Sequence, residues 1–246
     1  IPYKPRKLQQ EVHENLKRFN VLVCHRRFGK TVLTINELIK KCLQCTLPRP
    51  RYYYIAPTYQ MAKRTAWDYL KEYTGVLPNV QYHETELRAD LPNGARITLL
   101  SSEAGDSLRG LFLDGVCIDE TAQIEPKLWN EIIRPALSDR KGFCYFIGTP
   151  AGMGNLFYEL YQYALGDEKW MTYTAKASET NIIDQEELDA AKAQMGDTKF
   201  RQEFECDWIA NIEGSVFGSI IKDLEDKKQL SKIGYDPALE VHTAWD

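Results

Sequence analysis

Long apolar runs are missing from this 246-residue sequence. No stretch approaches the roughly 18 apolar residues that a membrane-spanning helix needs, so a bilayer span is excluded. The opening residues, Ile1-Pro2-Tyr3-Lys4-Pro5-Arg6-Lys7, carry no apolar signal core, and an intracellular chain is the expectation. Cysteine is sparse, with 6 residues. Cys42-x-x-Cys45 has zinc or redox spacing, yet no second pair and no nearby histidine completes a site. Cys117 and Cys144 fall within apolar runs and read as small hydrophobes, so reduced thiols are expected. A surplus of positive charge is absent too: 31 Lys and Arg stand against 35 Asp and Glu, a net charge of −4. That balance argues against a protein that coats nucleic acid by bulk electrostatics. Repeats and low-complexity segments are also lacking.

What is present is an ordinary globular composition, 43% hydrophobic and 27% charged, long enough for one α/β domain plus an appendage. The charge is unevenly spread. Residues 176–246 hold 8 Lys and Arg against 16 Asp and Glu, leaving 23 and 19 in residues 1–175. A basic-leaning first part permits a local DNA-facing patch, with Lys63, Arg64, Lys127, Arg134, Arg140 and Lys141 as candidates.

Strand and helix patterns alternate through the first 175 residues. Residues near 6–19 read as helix, 21–25 as strand and 30–43 as helix. The run 51–56 is a strong strand that ends at Pro57-Thr58, before a helix through Trp67 and Leu70. Residues 80–101 read as antiparallel ribbon, with Pro92-Asn93-Gly94 as a tight turn. Residues 115–118 and 143–147 are continuous apolar runs, the pattern of buried parallel strands. A three-layer α/β domain follows, with its site expected at the carboxyl ends of the strands. Beyond Tyr173, Asp184 and Glu187 predict a capping box on a short helix that Gly196 ends, and a second helix spans about 198–206. These form a small helical subdomain followed by a linker.

The most informative stretch is Val21-Leu22-Val23-Cys24-His25-Arg26-Arg27-Phe28-Gly29-Lys30-Thr31. An apolar strand runs into Gly-Lys-Thr, which opens an amphipathic helix bearing Val32, Leu33, Ile35, Leu38 and Ile39. That context suits a phosphate-binding loop, in which backbone N–H groups and a helix N-terminus cradle phosphates. Lys30 would reach the terminal phosphates and the Thr31 hydroxyl would ligate Mg²⁺. The loop departs from the usual pattern, with Cys24 where a first glycine is expected. Arg26 and Arg27 place two guanidinium forks in the cradle, and at least one is expected to face the nucleotide.

Three further segments join it. Asp119-Glu120 follows the apolar strand 115–118. An acid there holds Mg²⁺ opposite Thr31, and the next carboxylate polarises a water for in-line attack on the γ-phosphate. Gly148-Thr149-Pro150 ends another apolar strand, with the Thr149 hydroxyl read as a γ-phosphate sensor. Arg109, in Ser107-Leu108-Arg109-Gly110, is either a surface loop residue or an arginine finger that stabilises charge on the transferring phosphate.

Arg26-Arg27-x-Gly29-Lys30-Thr31, Ile55-Ala56-Pro57-Thr58, Ser107-Leu108-Arg109-Gly110, Ile118-Asp119-Glu120 and Gly148-Thr149-Pro150 occur in this order. Together they resemble the ATPase of the large terminase, the genome-packaging motor of tailed phages, across essentially the whole chain. The resemblance implies a P-loop NTPase fold of the RecA/ASCE type, with residues 1–175 as core and 176–235 as helical lid and linker. It implies ATP and Mg²⁺ as cofactors. Gln9 matches the family's adenine-reading glutamine, and Arg26 fits its loop arginine better than Arg27. Lys30, Thr31 and Asp119 match the phosphate and metal residues, and Glu120 the catalytic carboxylate. Thr149 matches the coupling motif, and Arg109 an arginine acting on the neighbouring subunit's ATP. Expected partners are double-stranded DNA, a homo-oligomeric ring (a pentamer) on the capsid portal, the portal protein and the small terminase subunit, in the host cytoplasm. Glu203-Phe204 and Glu213-Gly214-Ser215-Val216-Phe217 resemble the connection to a nuclease domain. Asp246 would then be that domain's first ligand, at the end of residues 236–246, and DNA cleavage by this chain is not expected.

Two other readings share some of these features. A helicase-like translocase would need a second α/β motor domain, for which the residues after Tyr173 are too few and too polar. A slow nucleotide-gated switch would have no use for a water-polarising glutamate beside Asp119.

Overall fold

A computed structural model describes residues 1–210 together with Leu224, Lys227 and Gln229. Residues Ile1–Asn211 form one compact unit and Ile212–Asp246 a second. Within the first, α1 (Lys7–Asn15) precedes β1 (Phe19–Cys24), α2 (Lys30–Gln44) and β2 (Arg51–Ala56). Next come α3 (Tyr59–Ala62), a π turn (Lys63–Trp67) and α4 (Asp68–Thr74), then β3 (Gln81–His83), β4 (Arg88–Asp90) and β5 (Arg96–Ser101). A 3₁₀ segment (Ser102–Leu108) leads to β6 (Gly115–Ile118), a second π turn (Leu128–Ile133), α5 (Arg134–Ala136) and β7 (Phe143–Gly148). The unit closes with α6 (Leu156–Leu165), β8 (Trp170–Ala175), α7 (Ala177–Thr180), α8 (Gln185–Met195) and α9 (Asp197–Phe204).

The strands form one sheet of order β3-β4-β5-β2-β6-β7-β1-β8. It is parallel from β5 to β8 and antiparallel only where β3 and β4 extend its edge. Both faces are covered, and the period of 2 along each strand sorts side chains between them. Leu22, Cys24, Tyr52, Tyr54, Cys117, Tyr145 and Ile147 pack with Leu33, Leu38 and Ile39 of α2 on one face. Val21, Val23, Ile55, Val116, Ile118 and Phe146 pack with Trp129 and with Leu156 and Phe157 of α6 on the other. This is the three-layer parallel core expected from the apolar runs. Ala177, Leu188 and Phe200 make a separate small cluster among α7, α8 and α9.

Several local expectations change. α1 stops at Asn15, short of the pattern-derived 19, because Asn20 turns the chain: its Oδ1 accepts from Lys17 N at 2.8 Å and its Nδ2 donates to Lys17 O at 2.7 Å. The ribbon over 80–101 is antiparallel through β3, β4 and β5 as expected, and β5 also runs parallel to β2 on its other side. The turn at Gly94 has φ +80°, a backbone that glycine adopts without strain. Asp184 does precede α8, but its side chain makes no cap bond, so the capping box is not formed. Gly196, at φ +81°, ends that helix as expected. The sequence pattern does not delimit α6 or β8, since α6 is crowded with tyrosines and β8 is a half-buried edge strand. Among the described residues no helix is long and apolar enough to cross a membrane, and no cluster of His, Cys, Asp and Glu could by itself hold a metal ion. All six cysteines are free. Residues 213–217 and 236–246, including Asp246, lie outside the described residues.

Candidate nucleotide-binding and hydrolysis site

β6, β7 and β1 are consecutive in the sheet. The loop 25–29, Asp119-Glu120 and Thr149 follow their carboxyl ends, so the topology brings three sequence-distant segments side by side. The loop leads directly into α2, whose first residues are Lys30 and Thr31. Gly29 has φ +90°, and a Cβ there would lie 2.8 Å from Gln9 Nε2, so only glycine fits. Lys30 Nζ donates to the Cys24 carbonyl at 2.6 Å and the His25 carbonyl at 3.2 Å, folding the ammonium into the loop's own concavity.

Gln9 is buried beneath this loop. Its Oε1 accepts from Arg6 N at 3.0 Å, and its Nε2 donates to the carbonyls of Phe28 and Gly29 at 3.4 and 3.3 Å. Its amide therefore braces the loop from α1. A groove of about 610 Å³ opens beside it between Arg6, Phe28 and Thr180–Ile182.

Asp119 is buried, and the Tyr54 hydroxyl donates to its Oδ2 while Glu120 N donates to Oδ1 at 2.9 Å. The same phenol also interacts with the Thr31 side chain, which ties the loop's hydroxyl and the strand-end carboxylate to one group. Burial raises the Asp119 carboxyl above its ordinary value, against the opposing pull of Tyr54 and Lys30. Burial and the adjacent Asp119 charge likewise raise Glu120. Glu120 is held at φ +46°, a left-handed conformation uncommon outside glycine, and begins a 3₁₀ turn. Behind it, the Thr121 hydroxyl donates to Ile118 O at 2.9 Å and Ile147 O at 3.1 Å, fastening the ends of β6 and β7 together.

The two loop arginines part company. Arg26 forms a fork on Glu203 of α9, Nε to Oε2 at 2.6 Å and Nη2 to Oε1 at 3.3 Å, and Arg26 N donates to Glu203 O at 3.0 Å. Arg27 is exposed at φ +69°. Thr149 Oγ1 is 3.4 Å from Glu203 Oε2, so one carboxylate meets both the loop arginine and the strand-end threonine. Burial alone would raise the Glu203 carboxyl; the Arg26 fork and Lys199 outweigh it and hold the group below the usual range. Arg109 stands apart. It is exposed and paired with Asp106 at 2.9 Å and Glu131 at 3.5 Å.

Residues 23–222 match the profile of the family described as terminase large subunit, T4likevirus-type, N-terminal. This chain belongs to that family. It is 26% identical over 228 residues to the large terminase subunit of Escherichia phage T5, covering 87% of this chain and 50% of that protein. It is 30% identical over 180 residues to the large subunit of Thermus phage G20c, covering 65% of this chain and 36% of the relative. The chain thus spans half or less of these curated relatives. In three dimensions it is similar to the large terminase ATPase domain of Thermus phage P74-26, with TM-score 0.72 and 24% identity, covering 84% of this chain and 94% of that one. The ADP complex of a large terminase from a thermophilic bacteriophage is similar at TM-score 0.68 and 16% identity, covering 82% of this chain and 52% of that one. The chain thus has the fold of these large terminase neighbours.

Two residues of this candidate site, Tyr54 and Glu203, carry no site role in the sequence motifs. Tyr54 sits in Arg51-Tyr52-Tyr53-Tyr54, where every residue reads equally well as strand; only the need of a buried phenol for a partner could single it out. Glu203 stands in the motif reading only as part of a connection to a following domain. His25 lies in the loop without a role in that reading: it is buried, it meets the Thr180 hydroxyl through Nε2 at 2.9 Å, and burial lowers its basicity.

Proposed function

We propose that this terminase domain hydrolyses ATP and, as part of a longer motor protein, drives double-stranded DNA into a procapsid. The observation that carries the reading is the meeting of Lys30, Thr31, Asp119, Glu120 and Thr149 at three adjacent strand ends. Lys30 exchanges its two carbonyl contacts for the β- and γ-phosphates, and the α2 N-terminus adds oriented N–H groups. The groove beside Gln9 would take the base, next to the loop that the Gln9 amide braces. Mg²⁺ fits the donor set, since Thr31 and Asp119 supply hard oxygen ligands brought together by Tyr54. When bound, the ion offsets charge on the phosphate oxygens. Glu120, whose carboxylate is made more basic by burial and the adjacent Asp119 charge, accepts the proton of the attacking water. The ring, portal and small-subunit partners and the host cytoplasm belong to this same proposal. DNA-stimulated ATP turnover by the purified chain tests it, and turnover indifferent to Lys30→Ala would sink it.

Glu203 gives the site a link to the α7–α9 helices. Arg26 can grip Glu203 or a phosphate but not both through the same fork. Glu203→Gln is therefore expected to free Arg26 and tighten ATP binding roughly fivefold or more. It should also weaken the coupling of Thr149 to α9. Calorimetric titration with a non-hydrolysable ATP analogue reads the first effect; an unchanged or weaker affinity would remove Glu203 from this role.

A further inference from the structure

At the opposite end of the sheet from the nucleotide loop, Arg18 and Arg134 approach the same aromatic ring. Their guanidinium carbons lie 4.9 and 5.3 Å from the Phe19 centroid. Both are half-buried, and among the described residues neither meets a carboxylate. Arg18 donates to Gly142 O at 2.9 Å and Leu137 O at 3.2 Å, and Arg134 only to the Ser138 hydroxyl at 3.1 Å. Burial and the Arg134 charge both depress the basicity of Arg18. Two like charges held together without a counter-ion cost stability, and such an arrangement persists where a ligand supplies the missing charge.

The two arginines line a groove of about 580 Å³ with Trp129, Trp170 and Tyr163. Its aromatic floor is rigid: Phe19 and Trp170 lie 4.8 Å apart, Tyr163 meets Trp170 at 5.3 Å and Trp129 meets Phe19 at 5.8 Å. Tyr163 is nonetheless 58% exposed, an apolar body without a cover. The groove opens beside β8, the last strand of the sheet, which has no further neighbour among the described residues. Glu159 and Asp167 also line it, and Asp167 is occupied by the Tyr163 hydroxyl and Lys169 N.

We propose that this groove is a docking site for an acidic protein segment that sets a carboxylate on Arg18 and Arg134 and an apolar side chain against Tyr163 and Trp170. Bidentate forks suit carboxylates, and flat aromatic walls suit an apolar neighbour one or two residues away. A DNA backbone fits less well. Its evenly spaced phosphates would have to pass Glu159 and Asp167 in the same walls, whereas a peptide can place a neutral or basic residue there. The groove lies away from the hydrolysis site and stands independently of the function proposed above.

Arg134 is the residue to change, because Arg18 also braces the backbone. The full chain and its Arg134→Gln variant are titrated with fluorescein-labelled Ac-(Glu-Asp-Leu)₄-amide, its Gln-Asn-Leu twin and a 20-bp duplex. Thermal melts and ATP turnover are measured alongside. The acidic peptide should bind the native chain and quench its tryptophan fluorescence, while the neutral twin should not. Arg134→Gln should bind about tenfold more weakly, melt no lower than the native chain because the repulsion is relieved, and keep its ATP turnover. Equal peptide binding by both proteins, no binding by either, or loss of duplex binding in its place would overturn the proposal. So would a lowered melting temperature without a change in peptide affinity, which would make Arg134 a structural residue.

Discussion

Glu120→Gln is expected to stop ATP turnover while leaving ATP bound, with a fall in rate on the order of 10²–10⁴. The amide keeps the shape of the side chain and its place at the end of β6 but cannot take a proton from water. Lys30→Ala should stop turnover by the other route, since it removes the charge proposed to meet the phosphates and so weakens binding itself. The pair separates chemistry from affinity: filter retention of labelled ATP should persist in Glu120→Gln and disappear in Lys30→Ala. Stability gives an independent check. Asp119 and Glu120 are both raised by burial, so the folded state holds protons that the unfolded state would release. Stability then falls as pH rises through the window between the ordinary carboxylate value and the raised one. Glu120→Gln removes that penalty, so the variant should melt higher than the native chain at neutral pH and show no such advantage below the carboxylate range. Turnover near the native rate in Glu120→Gln would assign the water to another group.

Much of the core is legible because it is written locally. Val21-Leu22-Val23 running into Gly29-Lys30-Thr31 specifies strand, loop and helix within one short segment. Gly115–Ile118 before Asp119-Glu120, and Phe143–Ile147 before Thr149, repeat the same logic. What cannot be read is written across long separations. Arg26 and Glu203 are 177 residues apart, and their fork depends on where α9 returns to the loop. Tyr54 and Asp119 meet because β2 and β6 are neighbours, a fact of strand order rather than of pattern. Gln9 is singled out only by the family resemblance, and its amide serves Phe28 and Gly29 through contacts that no spacing rule encodes. At Asp184 the sequence offers a cap and the backbone is extended as at an N-cap, yet the side chain makes no cap bond.

In the ring proposed above, Arg109→Ala should lower ATP turnover by about 10³–10⁵, the general size of an arginine-finger effect, while changing little in the isolated chain. Its position argues for action on a neighbour. The residue caps the 3₁₀ segment after β5, and its guanidinium faces Asp106 and Glu131 rather than the phosphate loop of its own chain. Exposed pairs of this kind hold their partners weakly, so the side chain is free to turn toward an incoming subunit. Turnover per subunit should accordingly rise with protein concentration or with a ring-forming partner. Mixing decides between the two geometries. Arg109→Ala subunits retain an intact loop and Lys30→Ala subunits an intact arginine. If Arg109 serves the neighbour's ATP, a mixture contains interfaces that combine the intact halves, and activity returns although each variant alone is inactive. If Arg109 works within its own chain, every subunit in the mixture carries one defective half and no activity returns. Mixed rings must be verified first, by co-purification of differently tagged variants, and absence of recovery in rings so verified would end the case for action in trans.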